Sequence, residues 1–299
     1  MTEKKNPTLG RLALLATTLI WGTSFVVQKN TLDDISTLHL LAFRFSIATV
    51  LMFIIAAKDI KKLDRSYLKG GVLMGIALSC AYIVQTYGLV YTTPGKNAFL
   101  TASYCVMTPF LYWAYKKKRP GKHNLIAAFL CLIGVGLISV DGNLNINIGD
   151  ILTIICGIFY ALHIIIIDEQ AEGKSSALLT AIQFAVAAVI TWTAALIVEP
   201  APENIPSSAV FSILYLGIVC TGICFLLQTF GQKNTPASQA AILLTLESVF
   251  GTVISIIFYK EAMSFRLVLG FAAMFAAVLI SETKLSFVKN NKIKSRFKL

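Results

Sequence analysis

The chain is a succession of apolar stretches of about twenty residues, joined by short polar segments. A helix needs roughly 20 mostly apolar residues to cross the hydrocarbon core of a bilayer. Such stretches must be helical, because lipid offers no hydrogen-bond partner to unpaired backbone groups. Only 14% of the residues are charged and 56% are hydrophobic, which leaves too few polar residues to cover a water-facing surface. The sequence therefore predicts an all-α integral membrane protein.

Hydropathy predicts ten membrane-spanning helices. The connections between them are short, and none is long enough to hold a separate soluble domain. The six cysteines lie inside apolar stretches without a C-x-x-C pair, so neither a disulfide framework nor a zinc site is expected. No cofactor is expected either. The predicted helices cover 9–27, 38–57, 70–90, 97–115, 124–140, 149–167, 177–198, 209–231, 237–259 and 265–283.

Lysine and arginine are concentrated in alternate polar segments. The net charge is +11, and the basic residues crowd into 58–69, 116–122 and a tail from Lys284 to Lys298. Positively charged loops of membrane proteins stay in the cytoplasm. We therefore expect a multi-pass protein of the bacterial cytoplasmic (inner) membrane with both termini in the cytoplasm. The basic runs indicate topology and contact with anionic lipid, and no nucleic acid is expected as a partner.

Two segments of the chain resemble each other. QTYGLVYTTPGKNA (85–98) matches QTFGQKNTPASQA (228–240), with one residue fewer in the second copy. The tripeptide LIS at 137–139 recurs in the same register at 279–281. The match pairs Gln85 with Gln228, Gly88 with Gly231, Pro94 with Pro236, and Asn97 with Gln239.

The repeat unit contains an odd number of helices. We divide the chain into a first five-helix repeat at 1–140, a second at 141–283, and a basic cytoplasmic tail at 284–299. Five spans bring the chain to the opposite face of the membrane, so the second unit is inverted relative to the first. Inverted repeats around a midplane site are typical of secondary transporters. The sequence therefore predicts ten transmembrane helices, arranged as two inverted five-helix repeats around a central cavity, and transport by alternating access.

Several motifs resemble those of a known family. They are WGTSFVVQK (21–29), Arg44 in the second helix, TTPGKNAFLTASYCVMTPF (92–110), TPASQAAILLTLESVFG (235–251) and YKEAMS (259–264). Over essentially its whole length the chain resembles the drug/metabolite transporter superfamily, specifically its EamA-type members with two five-helix units.

The resemblance implies a basket of ten helices around a cavity lined mainly by helices one, three, four, six, eight and nine. Members of the family move amino acids and related metabolites, often as exporters, and others carry nucleotide sugars, triose phosphates or cationic drugs. The family match also makes Trp21 and Ser24 cavity candidates. Single-unit relatives depend on a glutamate in their first helix, and the first helix here has no acid.

Two ionisable residues lie in the middle of predicted helices. Glu247 could accept a proton or bind a substrate ammonium group, and intramembrane acids are functional candidates by default. Its structural alternative is a protonated carboxyl hydrogen-bonded to a neighbouring helix. His163, with Tyr160 on the same face, could move protons or bind a carboxylate. It could equally form a hydrogen bond within the bundle.

Polar residues at helical spacing predict a further cavity wall. Asn97, Thr101, Tyr104 and Thr108 form one stripe on the fourth helix, as expected of a face toward a wet cavity. Packing between helices is the alternative.

The remaining polar residues of the predicted helices divide into site candidates and structural residues. Tyr82 and Gln85, which share a face of the third helix, and Gln239, the repeat partner of Asn97, are further substrate-binding candidates. Gln85 and its repeat partner Gln228 could contact substrate from both halves, or could brace the loop that precedes each proline. For Gln228, near the end of its helix, we favour bracing. For Arg44 we expect a structural role, reaching lipid headgroups or pairing with Asp33 or Asp34.

The function predicted is secondary active transport of amino acids or related zwitterions, by export or exchange, with protons as a candidate coupling ion. The main alternative is an exporter of cationic drugs or amines that uses Glu247 as its counter-charge. A membrane-embedded enzyme is a distant alternative, because the three histidines are scattered and no H-E-x-x-H spacing occurs. One chain completes a cavity, so we expect a functional monomer.

Overall fold

The computed structural model describes residues 7–117, 119–139, 146–171, 173–234 and 237–283. These residues are almost entirely helical and contain no β-strand. A 3₁₀ turn (Ala57–Lys62) follows the second helix, and a π-helical segment (Tyr215–Ile223) joins the ninth to the tenth. The α-helices are α1 (Pro7–Thr31), α2 (Thr37–Ile55), α3 (Arg65–Tyr91), α4 (Pro94–Thr101), α5 (Tyr104–Lys116), α6 (Lys122–Ser139), α7 (Ile148–Gln170), α8 (Ser176–Val198), α9 (Ser207–Leu214), α10 (Cys224–Asn234), α11 (Ala237–Phe258) and α12 (Phe265–Thr283).

The helices have the length and surface of membrane spans. Large apolar side chains on their outer faces are exposed, among them Phe129 at 69% and Ile197 at 78%, as expected for contact with lipid. The chain is therefore an all-α integral membrane protein, and the count of ten spans remains a prediction. Within the described residues six helices are long and apolar enough to cross a bilayer: Thr8–Thr31, Thr37–Ile55, Arg65–Tyr91, Ile148–Ile167, Ser176–Val198 and Ser207–Gln228. Shorter apolar helices are Lys122–Ile138, Leu246–Phe258 and Phe265–Ser281.

The fourth predicted helix is divided into α4 and α5. At the division the backbone changes to the tighter i→i−3 pattern, with Ser103 N–H donating to Leu100 O at 3.2 Å. Inside α5, Pro109 cannot donate to the carbonyl of Cys105. The hydroxyl of Ser281 on α12 donates to that carbonyl at 3.4 Å instead. The break reorients the polar side chains on either side of it.

The eighth predicted helix contains the π-helical segment. Its wider turn lets Thr221 Oγ1 donate to the carbonyl of Leu216, five residues earlier, at 2.8 Å. The carbonyl of Cys220 accepts a hydrogen bond from Trp21 Nε1 at 2.8 Å. Such segments occur frequently at functional sites, and this one faces α1 and α2.

The helices pack in mirrored pairs. Helix α3 of the first predicted repeat packs along α7, which begins the second, and α10 of the second repeat packs along α1, which begins the first. The pairs α2 with α8 and α6 with α12 each bring together helices at equivalent positions of the two predicted repeats. Close approach fixes α11 against α1, since a Cβ on Gly22 would lie 2.7 Å from Cβ of Phe250.

Two acidic side chains accept hydrogen bonds that connect α2 and α8 at opposite ends of the pair. Glu199, after the end of α8, accepts hydrogen bonds from Leu38 N–H at 3.0 Å and from Tyr87 Oη at 3.0 Å. Asp59, after the end of α2, accepts one from Ser175 Oγ, the N-cap of α8, at 2.5 Å. We call these the Glu199 cluster and the Asp59 cluster. Each acid holds the first turn of the other helix, where a negative charge is favoured.

Candidate functional site

A central cavity of about 650 Å³ lies between the helices. Its walls come from α1, α2, α3, α4, α5, α7, α8, α10 and α11. Gln28 and Arg44 line one end, and Ala171 and Ser176, at the connection from α7 to α8, line the other. This volume suits a small metabolite, since ligand pockets typically measure about 300–1,000 Å³.

At the first end of the cavity, buried side chains are hydrogen-bonded between helices, and we call this the closed end. The amide of Gln28 donates to Thr86 Oγ1 at 2.9 Å and accepts from Arg44 Nη1 at 2.7 Å. Beside it, Lys29 Nζ donates to the carbonyls of Leu89 and Val90, both at 2.7 Å. These bonds join α1 to the last turns of α3 and to α2.

Glu247 lies on the face of α11 that borders the cavity. Its carboxylate makes no hydrogen bond to any described residue, and its side chain is half-buried. The neighbouring residues on other faces of α11 pack between helices, with Ser248 and Thr252 buried. The acid is therefore available to a molecule in the cavity.

Two amides hold polar side chains across the middle of the cavity. Gln85 Nε2 donates to Thr101 Oγ1 at 2.9 Å, and Gln85 Oε1 accepts from Tyr160 Oη at 2.9 Å. On another wall His163 Nε2 and Gln183 Oε1 lie 2.9 Å apart. Because the amide oxygen of Gln183 can only accept a hydrogen bond, His163 is the donor and its Nε2 carries a proton. The cavity walls thus present oriented amides, hydroxyls and an imidazole.

Tyrosine rings line the cavity between these groups. Tyr82 and Tyr160 meet edge to face, with ring centroids 5.7 Å apart, and Tyr104 lies 6.1 Å from Tyr160. The guanidinium of Arg44 lies over the ring of Tyr82, 4.8 Å from its centroid. Amphipathic rings of this kind contact both the apolar and the polar parts of a ligand.

Most of the predicted site residues line this cavity. Asn97 does not: it is buried behind the wall, where its Nδ2 donates to Thr153 Oγ1 at 2.8 Å. Thr108, in the same predicted stripe, is not among the lining residues either, and its Oγ1 donates to the carbonyl of Tyr104 at 2.7 Å. The side chain of Gln239 lies outside the described residues, as does Pro236. The predicted residues that border the cavity are Trp21, Ser24, Tyr82, Gln85, Thr101, Tyr104, Tyr160, His163 and Glu247.

Comparison with known proteins gives the family. The model of the EamA-like transporter family matches residues 8–140 and again residues 147–283. The chain belongs to the EamA-like transporter family. An uncharacterized transporter of Archaeoglobus fulgidus is 30% identical, over 90% of this chain and 84% of the relative. The uncharacterized transporter YoaV of Bacillus subtilis is 22% identical, over 87% of this chain and 91% of the relative. A solved crystal structure superposes with a TM-score of 0.66 over 91% of this chain and 96% of that one, and at 15% identity it shows the fold alone.

In this EamA-like transporter the position of Arg44 shows that the structural role predicted from the sequence is wrong. It does not reach headgroups or pair with Asp33 or Asp34: it is 2% exposed, and its Nε donates to Thr221 Oγ1 at 2.6 Å. It faces the bundle, because α2 packs against the π-helical segment. A lone arginine inside an apolar helix was the signal that could have identified it.

Sequence reasoning missed two of the amides that line the transporter's cavity, Gln28 and Gln183. Gln228, for which the sequence favours bracing over substrate contact, borders the cavity as well. Glutamines within apolar helices are a weak signal, since they also form hydrogen bonds between helices. The described residues contain no group of three His, Cys, Asp or Glu side chains arranged to hold a metal ion.

Proposed function

We propose that this EamA-like transporter is a secondary active transporter of amino acids or related zwitterions, working by export or exchange and without an enzymatic step. One observation carries the proposal: the cavity has one guanidinium, Arg44, and one carboxylate, Glu247, among the described residues of its walls. A zwitterion brings a carboxylate and an ammonium group, so it matches both charges and leaves no net charge in the membrane interior.

The mirrored packing supports alternating access. Units 1–140 and 141–283 would move against each other about the α2–α8 and α6–α12 pairs, exposing the cavity to each side in turn. The basic loops favour a cytoplasmic position for the α7–α8 connection and both termini in a bacterial cell. With its Gln28 end closed, the cavity would then be open to the cytoplasm. One chain surrounds the cavity, which supports a functional monomer.

Glu247 is the proposed coupling group. A carboxylate that borders a cavity inside the membrane can bind a proton on one side and release it on the other. Ammonium binding and proton binding compete for the same acid, which links substrate movement to proton movement. The cation-exporter alternative also uses Glu247, but Arg44 in the same cavity repels a substrate with only positive charge.

Flux in proteoliposomes tests the proposal. Purified protein is reconstituted, and counterflow of each of the twenty radiolabelled amino acids is measured beside a panel of lipophilic organic cations. We expect saturable counterflow of one group of amino acids and none of the cations. A variant with Ile197→Ala on the lipid-facing surface of α8 is the matched control and should behave as the wild type. Movement of the cations without movement of any amino acid would refute the proposal.

A further inference from the structure

The guanidinium of Arg44 forms hydrogen bonds to uncharged side chains. Its three hydrogen-bond acceptors are Thr221 Oγ1 at 2.6 Å, Gln28 Oε1 at 2.7 Å and Tyr82 Oη at 3.5 Å. No carboxylate of the described residues, Glu247 included, forms an ion pair with it. A buried charge without an opposite charge in contact is expensive, and charged residues inside membranes are normally paired.

At least two N–H groups of the guanidinium donate to no residue in the described part of the chain. It has five N–H groups, and the three contacts use at most three of them. The contact to Tyr82 is at the limit of a hydrogen bond, and it leaves the Nη2 side of the group almost unengaged. The side chain is 2% exposed to solvent and is one of the residues that line the cavity.

The surrounding structure holds the guanidinium in place. The π-helical segment positions the Thr221 hydroxyl, which accepts from Arg44 Nε while donating to its own helix. Gln28 is oriented by its second bond, to Thr86, so that its carbonyl oxygen points to Arg44. Neutral partners fix the orientation of the group without cancelling its charge. This is the preorganisation expected of an anion-binding site.

We propose that Arg44, supported by Gln28 and Thr221, is the subsite that binds the carboxylate of the substrate at the closed end of the cavity. The proposal rests on the proposed function and assigns the two ends of a zwitterion, with the ammonium group toward Glu247. A planar guanidinium binds a carboxylate through two parallel hydrogen bonds. A phosphate dianion is disfavoured, because one arginine cannot balance two charges while Glu247 repels them.

Ligand discrimination by variants tests the subsite. Thermal stabilisation of the purified protein is titrated with each of the twenty amino acids and with the matching amino-acid amide, which lacks only the carboxylate charge. In the wild type we expect the acid to bind about 10- to 100-fold more tightly than its amide. In Arg44→Gln this preference should fall to about threefold or less, with little change in the affinity for the amide.

A matched control is Arg266→Gln, in which the same charge is removed outside the cavity. Arg266 donates to the carbonyl of Gly136, so it has a structural bond but no place in the cavity. This variant should keep the preference of the wild type. A purely structural role for Arg44 would weaken acid and amide equally, and that result would overturn the proposal.

A measurement on the wild type does not depend on the folding of any variant. Phenylglyoxal modifies arginine, and the rate at Arg44 is followed by mass spectrometry of the purified protein. The amino acids should slow modification of Arg44 at least about fivefold more than their amides do, with Arg266 as internal reference. Equal rates would overturn the subsite. Protection by carboxylates without any amino-acid flux would refute the proposed function and leave the subsite standing.

Discussion

At the scale of single residues, the cavity places two opposite charges among neutral polar groups. Glu247 could be recognised from the sequence, because an acid in the middle of an apolar helix has few structural uses. Arg44 stands seven residues after the start of α2, where a long side chain can either reach the interface or turn inward. A charge inside an apolar helix marks Arg44 as a functional candidate. Its direction depends on Thr221 and Gln28, and no local pattern contains that part of the information.

Glu247→Gln should separate binding from proton coupling. The amide keeps the shape of the acid and one acceptor oxygen for the ammonium group, but it cannot exchange a proton. A gradient of one pH unit supplies about 1.4 kcal/mol per proton, enough for about tenfold accumulation at one proton per substrate. We expect the wild type to approach this ratio in proteoliposomes and Glu247→Gln to stay near one, with counterflow at equal pH retained but saturating at a higher substrate concentration, because the ammonium group has lost its counter-charge.

The control for this experiment is Glu203→Gln, on an exposed acid in the connection after α8. It should accumulate substrate as the wild type does. Accumulation by Glu247→Gln to the level of the wild type would contradict a coupling role for this acid.

Helical spacing correctly predicted which side of a helix faces the cavity for several residues. The prediction failed where a second helix packs across that side. Thr101 and Asn97 share a face of the fourth predicted helix, yet only Thr101 borders the cavity. Helix α7 covers the first turn of α4, and Thr153 accepts a hydrogen bond from the Asn97 amide there. Periodicity therefore identifies the polar face of a helix, but the position of the neighbouring helix decides which part of that face borders the cavity.

At the scale of helices, the ends of α2 and α8 are held by acids in the connections. The turn after α8 was recognisable from its prolines, but the role of Glu199 was not, because its partners Leu38 and His39 are about 160 residues away in the chain. The same holds for the π-helical segment, since no composition distinguishes Tyr215–Ile223 from an ordinary apolar helix. Boundaries and local helix geometry therefore had to come from the structure.

The Glu199 cluster predicts a pH-dependent stability. Burial alone would raise the pKa of Glu199, but hydrogen bonds from Ser36, from Tyr87 and from the backbone N–H groups of Leu38 and His39 together lower it. A group whose pKa is lower in the folded state stabilises the protein above its ordinary pKa, about 4.3 for glutamate. This stabilisation is lost as the pH falls through the lowered value.

Thermal unfolding in detergent measures this contribution. We expect Glu199→Gln to lose about 1–2 kcal/mol of stability at pH 7, where charge-assisted hydrogen bonds are lost. Near pH 3 the difference from the wild type should shrink, because the wild-type carboxyl becomes protonated. Glu203→Gln, in the same connection, should be neutral at both pH values. A deficit for Glu199→Gln that does not change with pH would contradict this account.

At the scale of the whole molecule, the sequence repeat predicts related halves but gives no sign of an asymmetric cavity. Matching segments in both halves predicted two related units, and the helices do pack in mirrored pairs. In the register that pairs Asn97 with Gln239, Glu247 corresponds to Cys105, which is uncharged. Helix α8, the counterpart of α2, contains no charged residue that could correspond to Arg44. The two charges of the cavity therefore arise from differences between the halves, which a repeat cannot predict.

Thiol labelling tests the proposed orientation of the whole molecule. Ser176 borders the cavity at the α7–α8 connection, and Tyr91, at the far end of α3, is 56% exposed. A membrane-impermeant maleimide should label Ser176→Cys in inside-out vesicles and Tyr91→Cys in right-side-out vesicles. The wild type, with its six cysteines, gives the background. The opposite pattern of labelling would reverse the topology and place the closed end of the cavity in the cytoplasm.

The position of Arg44 also has a consequence for biosynthesis. The N-terminal part of a chain is made and inserted first. Gln28 precedes Arg44 by 16 residues, whereas Thr221 follows it by 177. Of the three described acceptors of Arg44, only Gln28 lies in the first helical hairpin, and an intramembrane charge opposes insertion. The bond from Arg44 Nε to Thr221 can form only after the second half of the chain has been synthesised.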